Sequence, residues 1–357
     1  MASGRLGRLA GKVEAPDGAA LTATTSLSTR PTMKDVAQAA GVSVKTVSRV
    51  VNGEPGVGAE TARRVTESIS WLGFRRNDLA RSLRRSSATL GLIIEDLANP
   101  FYSAIARTVE DMARRQGYVV ITASSEESAE RERELVATLL SRQVEGLLLV
   151  PAAREHDYLR PELSLGTEVV FLDRPPGGID ADVVLIDNAG GARAGVEHLL
   201  AQGHRRIGLL GDPPPVYTIA ERVAGYRAAL EAWGVPVDEA LIRLDAHLVG
   251  QAERSTRDLL ELPDPPTALF TANNRASVGA VRAIGPARAR VALVGFDDFE
   301  LADMLPVPVT VVRHDPAEMG RRAAELLFAR LAGDDRAPQR IVLGTELVVR
   351  GSGEVRR

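Results

Sequence analysis

Two rhythms of apolar residues divide the chain. Thr32 stands three residues ahead of Asp35, and Val36, Ala37 and Ala40 follow at helical spacing up to Gly41, which predicts a short capped helix ending at the glycine. Val42 then turns inward and Ser43 caps a second helix, Val44 to Val51, whose Val47, Val50 and Val51 form an apolar stripe. A third helix, from about Ala59 to Leu72, presents Ala62, Val65, Ile69 and Leu72 and stops at Gly73. Two short helices about a glycine-containing turn make a helix-turn-helix, and the third closes its small core.

After Ala88 the rhythm changes. Apolar runs at 90–94, 118–122, 146–150, 169–172, 183–186, 207–210, 268–271, 291–295, 309–312 and 341–343 alternate with amphipathic stretches of about a dozen residues. Strands that are apolar on both faces and alternate with helices predict parallel sheets covered on both sides. Ten strands are too many for one sheet of ordinary size, so the expected fold is α/β, with two parallel-sheet subdomains and a cleft between them, behind a small all-α headpiece. Ligands in such folds lie beyond the C-terminal ends of the strands.

Charge sharpens this division. Between Met33 and Ser87 ten Lys/Arg face five acids, whereas from Ala88 onward 30 bases face 40 acids. A basic module joined to an acidic one points to a polyanionic partner for the first alone. With no cysteine in the chain, disulfides, thiolate nucleophiles and Cys-ligated metals are excluded, and the five histidines are scattered. Residues 1–30 are mostly Gly, Ala, Ser and Thr, lack the apolar segment of a secretory signal, and are expected to form a disordered tail. No apolar run approaches a membrane span, so a cytoplasmic location is expected. Gly190-Gly191 lacks the spacing and the Lys-Ser/Thr of a phosphate loop, and no serine elbow or HExxH sequence occurs, so neither an enzyme nor a metal or cofactor site is expected.

The run from Thr32 to Asn52, TMKDVAQAAGVSVKTVSRVVN, resembles the headpiece of the LacI/GalR family of bacterial transcriptional regulators. Further matches follow in order: Asn99-Pro100-Phe101-Tyr102, Asp187-Asn188 with Gly190-Gly191, His198-Leu199-Leu200, Gly203-His204-Arg205-Arg206-Ile207, Arg222 with Gly225-Tyr226, and Gly295-Phe296-Asp297-Asp298. The resemblance spans about residues 31 to 352. It implies a headpiece over 31–76, a hinge over 77–87, and a core over 88–352 with the periplasmic sugar-binding fold. The expected N-subdomain is about 88–186 and 315–335, the C-subdomain about 187–314 and 336–352, and 353–357 a tail.

What the resemblance implies for function is a homodimer on a palindromic double-stranded operator, most simply a repressor, controlled by a small molecule in the cleft, a sugar or sugar derivative. On the second helix Val44, Lys45 and Arg49 are placed for base edges in the major groove, Lys45 and Arg49 for guanine acceptors and Val44 for a thymine methyl. Ser43, Thr46 and Asn52 are placed for phosphates. Ala80 and Leu83 match the family's hinge, with Leu83 as the minor-groove wedge. By position Phe101, Asp173, Arg222, Asn273 and Asp297 match effector contacts, and Asn99 and His247 extend the set. Each also has a plainer reading: Asp173 as half of a strand-end ion pair, Asp297 as a helix cap, Phe101 as packing, Asn273 as a turn residue and His247 as a surface histidine. Asn273-Asn274 departs from the commoner Asn-Asp pair, and Gly58 stands where a Ser or Thr usually caps the third helix. The rival functions are a transport solute-binding protein, disfavoured by the helix-turn-helix, and an enzyme.

Overall fold

The computed structural model describes residues 33–51, 57–72, 89–285 and 290–355. The expected tail over 1–30 and hinge over 77–87, with Asn52, Ala80 and Leu83, lie outside the described residues. The chain divides into two units, residues 1–81 and 82–357.

In the first unit α1 (Met33–Ala40), α2 (Val44–Val51) and α3 (Ala59–Leu72) enclose Val36, Ala37, Ala40, Val47 and Val65. Val42, Val50, Ile69 and Leu72 pack around them. The α1–α2 turn needs Gly41, whose φ of +64° lies in the left-handed region, and the Val42 N–H closes it on the Ala37 carbonyl at 3.0 Å. Ser43 Oγ accepts from the Thr46 N–H at 3.1 Å and caps α2.

The second unit holds two six-stranded sheets. The first contains β1 (Thr89–Ile94), β2 (Val119–Ser124), β3 (Gly146–Leu149), β4 (Glu168–Leu172), β5 (Asp182–Ile186) and β11 (Arg340–Leu343), in the order β11-β5-β4-β3-β1-β2 with every pair parallel. The second contains β6 (Ile207–Leu210), β7 (Ile242–Arg243), β8 (Ala268–Thr271), β9 (Ala292–Phe296), β10 (Thr310–Arg313) and β12 (Glu346–Val348), in the order β12-β10-β9-β8-β6-β7. Only β12 runs antiparallel there, against β10. In both sheets the strand order reverses beside the first strand, between β1 and β3 and between β6 and β8, which opens a crevice at the strands' C-terminal ends.

Helices α4 (Pro100–Arg115), α7 (Asn188–Ala201), α8 (Tyr217–Ala232), α10 (Asn274–Ile284) and α11 (Pro316–Leu331) cover these sheets, together with α5 (Ala129–Ser141), α6 (Arg160–Ser164) and α9 (Val249–Leu260). Gly225 lets α8 approach α7 closely, since a Cβ there would stand 2.2 Å from the Ala189 carbonyl oxygen. That approach fixes Arg222, one turn earlier on α8, beside Asn188.

The structure corrects the division of the C-terminal part. Residues 340–343, expected in the C-subdomain, form the edge of the first sheet by parallel pairing with β5. Apolar Ile341 and Leu343 pack against the main core, and Arg330 on α11 pairs with Asp182 at 2.7 Å in the same region. The expected tail is also partly built in. Gly353 is buried, and Glu354 contacts His198 Nε2 and accepts from Thr310 Oγ1, next to Ser352 of the core, whose Oγ donates to the Leu293 carbonyl at 2.5 Å.

Candidate functional site

On α2 the buried side is Val47, while Val44, Lys45 and Arg49 are exposed on the other. Val44 is 43% exposed. Ser43 and Thr46, read as phosphate contacts, share a hydrogen bond at 2.9 Å at the start of α2.

In the second unit the predicted cleft residues stand together. Asn99, Phe101, Asp173, Arg222, His247, Asn273 and Asp297 line one cavity with Glu95, Tyr102, Glu127, Arg174, Asp212, Thr218, Asn274 and Arg275. The strand ends explain the convergence. Glu95 follows β1, Glu127 lies three residues beyond β2 and Asp173 follows β4, while Asp212, His247, Asn273 and Asp297 come shortly after β6, β7, β8 and β9.

Arg222 is the organising cation. Its Nε donates to Asn188 Oδ1 at 2.7 Å, and its terminal nitrogen reaches the Ala272 carbonyl at 2.5 Å and Asp297 Oδ2 at 3.3 Å. The guanidinium carbon lies 3.8 Å from the centre of the Phe296 ring, within cation–π range. Asp297 also contacts His314 Nε2 at 3.0 Å. Burial pushes the Asp297 carboxyl up, but Arg222 and His314 outweigh it and hold its pKa below the ordinary value. Asp173, which accepts from Tyr102 Oη at 3.2 Å, is raised by burial against the opposing pull of Arg174 and Arg222. Asp173 and Asp297 have φ of 64° and 66°, a left-handed backbone that few non-glycine residues adopt and that concentrates at binding sites.

Side chains from both sheets bridge the cleft. Arg275 on α10 donates to Glu95 Oε1 at 3.3 Å and also to Asp96, and Asn274 Nδ2 donates to Asn99 Oδ1 at 2.9 Å. His247 bonds Asp212 at 3.0 Å and faces Glu95 across the gap at 3.7 Å, so it belongs to the cleft rather than to open surface. Burial and repulsion from Glu127 push the Glu95 carboxyl up to about 7, and the hydrogen bond with Asp212 raises His247. The space left is only about 40 Å³, little more than one water's share of roughly 30 Å³ and far below the roughly 300 Å³ at which ligand pockets begin. A larger groove of about 620 Å³ around Trp233 lies at the other end of β6.

The sequence reading missed Glu95, Glu127, Arg174, Asp212, Arg275 and His314. Each sits just beyond a strand or on the first turn of a helix, and position beyond a predicted strand was the available signal. The cap reading of Asp297 does not hold, because its carboxylate is engaged by Arg222 and His314. Asn273 does cap α10, accepting from Ala276 N at 2.6 Å, and its amide donates to Asp212 at 2.7 Å.

Comparison with known proteins agrees with this geometry. Residues 32–77 match the lacI family of bacterial regulatory proteins and residues 196–353 the periplasmic binding protein-like domain. Over 336 residues, 91% of this chain and 98% of its own, the HTH-type transcriptional regulator CelR of Thermobifida fusca is 34% identical. The chain belongs to the LacI family. The ribose operon repressor of Escherichia coli is 32% identical over 90% of this LacI-family chain and 99% of its own length. A solved CelR–cellobiose complex matches with 33% identity and a TM-score of 0.67, covering 90% of this chain and all of that one. A lac repressor dimer bound to operator and the anti-inducer ONPF matches with 27% identity and a TM-score of 0.79, covering 91% and 99%. This LacI-family member is accordingly a DNA-binding transcriptional regulator with two α/β subdomains, and the relatives named are regulators rather than enzymes. Among the described residues no helix is long and apolar enough to cross a membrane.

Proposed function

We propose that this regulator is a cytoplasmic repressor that binds a palindromic operator as a homodimer and whose operator affinity is set by a saccharide held between its two α/β subdomains, without turnover. The carrying observation is the buried cluster of Arg222, Asp297 and Asp173, two carboxylates around a guanidinium at the meeting point of both sheets. Paired donors and acceptors in that arrangement suit vicinal hydroxyls, and Phe101, edge-on to His314 at 5.3 Å, supplies an apolar surface for a sugar ring. Asn99, Asn273 and His247 complete the contact set. Relatives that are repressors of sugar operons, or are seen with cellobiose, support the saccharide reading.

In the headpiece Val44, Lys45 and Arg49 read bases in the major groove, Ser43, Thr46 and Asn52 fix the register on phosphates, and Ala80 and Leu83 of the hinge enter the minor groove. A two-fold protein calls for a two-fold site. Selection of duplexes from a randomised pool by the full-length chain tests the reading. Recovery of an inverted repeat is expected, and enrichment of no sequence would refute it.

A further inference from the structure

The charge of the cleft, and the way its cations are already engaged, extend the saccharide reading to a class of saccharide. Five carboxylates line the cavity, Glu95, Glu127, Asp173, Asp212 and Asp297, against three guanidiniums and His247. Each of the three guanidiniums is already paired with a carboxylate of the protein, and the buried Arg174 Nε, which has no hydrogen-bond partner among the described residues, lies 3.7 Å from Asp173 Oδ2. Arg174 is held by Glu127 and by the Pro151 carbonyl at 2.8 Å, Arg222 by Asn188, Ala272 and Asp297, and Arg275 by Glu95 and Asp96. Freeing any of them for a phosphate would strand a carboxylate in a buried or half-buried site, which is costly.

Backbone does little to offset this. Helices α4 and α10 begin at Asn99 and Asn273, whose own side chains accept from the first-turn N–H groups. The first turn of α8, which carries Thr218 into the cleft, lacks a side-chain cap, as does that of α9, which starts two residues after His247. Each dipole amounts to about half a positive charge, too little against the surplus of carboxylates. Burial and Glu127 already penalise the charged form of Glu95, and a further anion would add to that repulsion.

We propose that the cleft selects saccharides that carry no ionised group, its carboxylates turning away anionic ones, and that Arg275, held between Glu95 and Asp96, turns away amino-substituted ones. The inference rests on the saccharide reading. Arg275 neutralises Glu95 and Asp96 at the cleft, so removing it would leave two carboxylates to attract an ammonium group.

Isothermal titration of the full-length chain with matched sets tests this: glucose, glucosamine and glucose 6-phosphate; ribose and ribose 5-phosphate; cellobiose and cellobionate. In any set that binds, the anionic member is expected to be weaker than its neutral parent by about tenfold or more, the equivalent of roughly 1.4 kcal/mol. In the Arg275→Gln variant the ratio of amino to neutral affinity is expected to rise about fivefold, while Arg275→Lys leaves it near the parent value. A loss of folding alone would lower both affinities together and leave that ratio unmoved. An anionic member that binds as tightly as its neutral parent overturns the inference and leaves the saccharide reading standing. A ratio unchanged in Arg275→Gln overturns the role of Arg275. Absence of binding by every saccharide refutes the saccharide reading itself, and this inference with it.

Discussion

Asn274 Nδ2 donates to Asn99 Oδ1 at 2.9 Å, a buried bond that joins the first turn of α10, leaving the second sheet, to the residue that caps α4, leaving the first. The same Asn99 oxygen accepts from Phe101 N at 3.2 Å, so a side chain already committed to starting a helix also ties the two subdomains together. Asn274→Asp would set a carboxylate oxygen against that acceptor. Leaving both unsatisfied costs about 1–3 kcal/mol, and urea unfolding of the variant should show a loss in that range.

Arg222 and Asp297 form a buried pair in which each partner compensates the other. Arg222→Ala leaves the Asp297 charge with His314 alone and is expected to destabilise the core by about 3–5 kcal/mol. The double variant with Asp297→Asn should recover part of that loss by removing the stranded charge. Effector binding should not return with it, since both proposed contacts are then gone. Paired denaturation and titration experiments separate the two effects.

The cross-cleft groups give the core a pH dependence of known sign. Glu95, facing Glu127, Arg174, Arg275 and His247, has a folded pKa of about 7 against an ordinary 4.5. Its contribution to stability is therefore fully present below about 4.5 and is lost as the pH rises through 7. His247, raised from 6.5 by Asp212, acts in the same direction. At the acid end the buried Glu132 works in reverse. Burial raises its pKa, but His156 at 3.5 Å and hydrogen bonds from Tyr158, Ala152 and Ala153 outweigh that and lower it, so its stabilisation is present above 4.5 and fades as the pH falls. Melting curves from pH 5 to 8 should show the gap between the parent and Glu95→Gln shifting in favour of the variant as the pH rises.

In the headpiece, Ser43→Ala removes the cap of α2 and should cost about 1 kcal/mol of stability. Lys45→Ala and Arg49→Ala touch no buried position and should leave the fold intact. Each should weaken operator binding by about 1–3 kcal/mol and relax the sequence preference at its own base pair. Fluorescence anisotropy on parent and mismatched duplexes distinguishes this from a uniform loss, which would mark a phosphate contact only.

The fold was legible wherever a single chain segment carries its own signal. The headpiece helices and the ten apolar runs became elements with ends shifted by at most two residues, because capping residues and two-sided burial are written locally. Ile242–Arg243 and Glu346–Val348 were not legible, being strands of two and three residues whose pairing comes from the neighbouring strand. The sheet that 340–343 joins could not be read either, since its apolar alternation is the same in either subdomain and only the crossover decides. At the cleft the family's matching positions identified Arg222 and Asp297, but the bridges made by Arg275 and Glu95 depend on two segments 180 residues apart in sequence.

The most direct test of the account is operator affinity measured for the full-length protein on its selected palindrome, with and without each neutral saccharide. One saccharide is expected to change that affinity by roughly 5–150-fold, the range of a coupling of about 1–3 kcal/mol, with the change abolished in Arg222→Ala. An operator affinity indifferent to every saccharide, or a saccharide effect undiminished in Arg222→Ala, would contradict it.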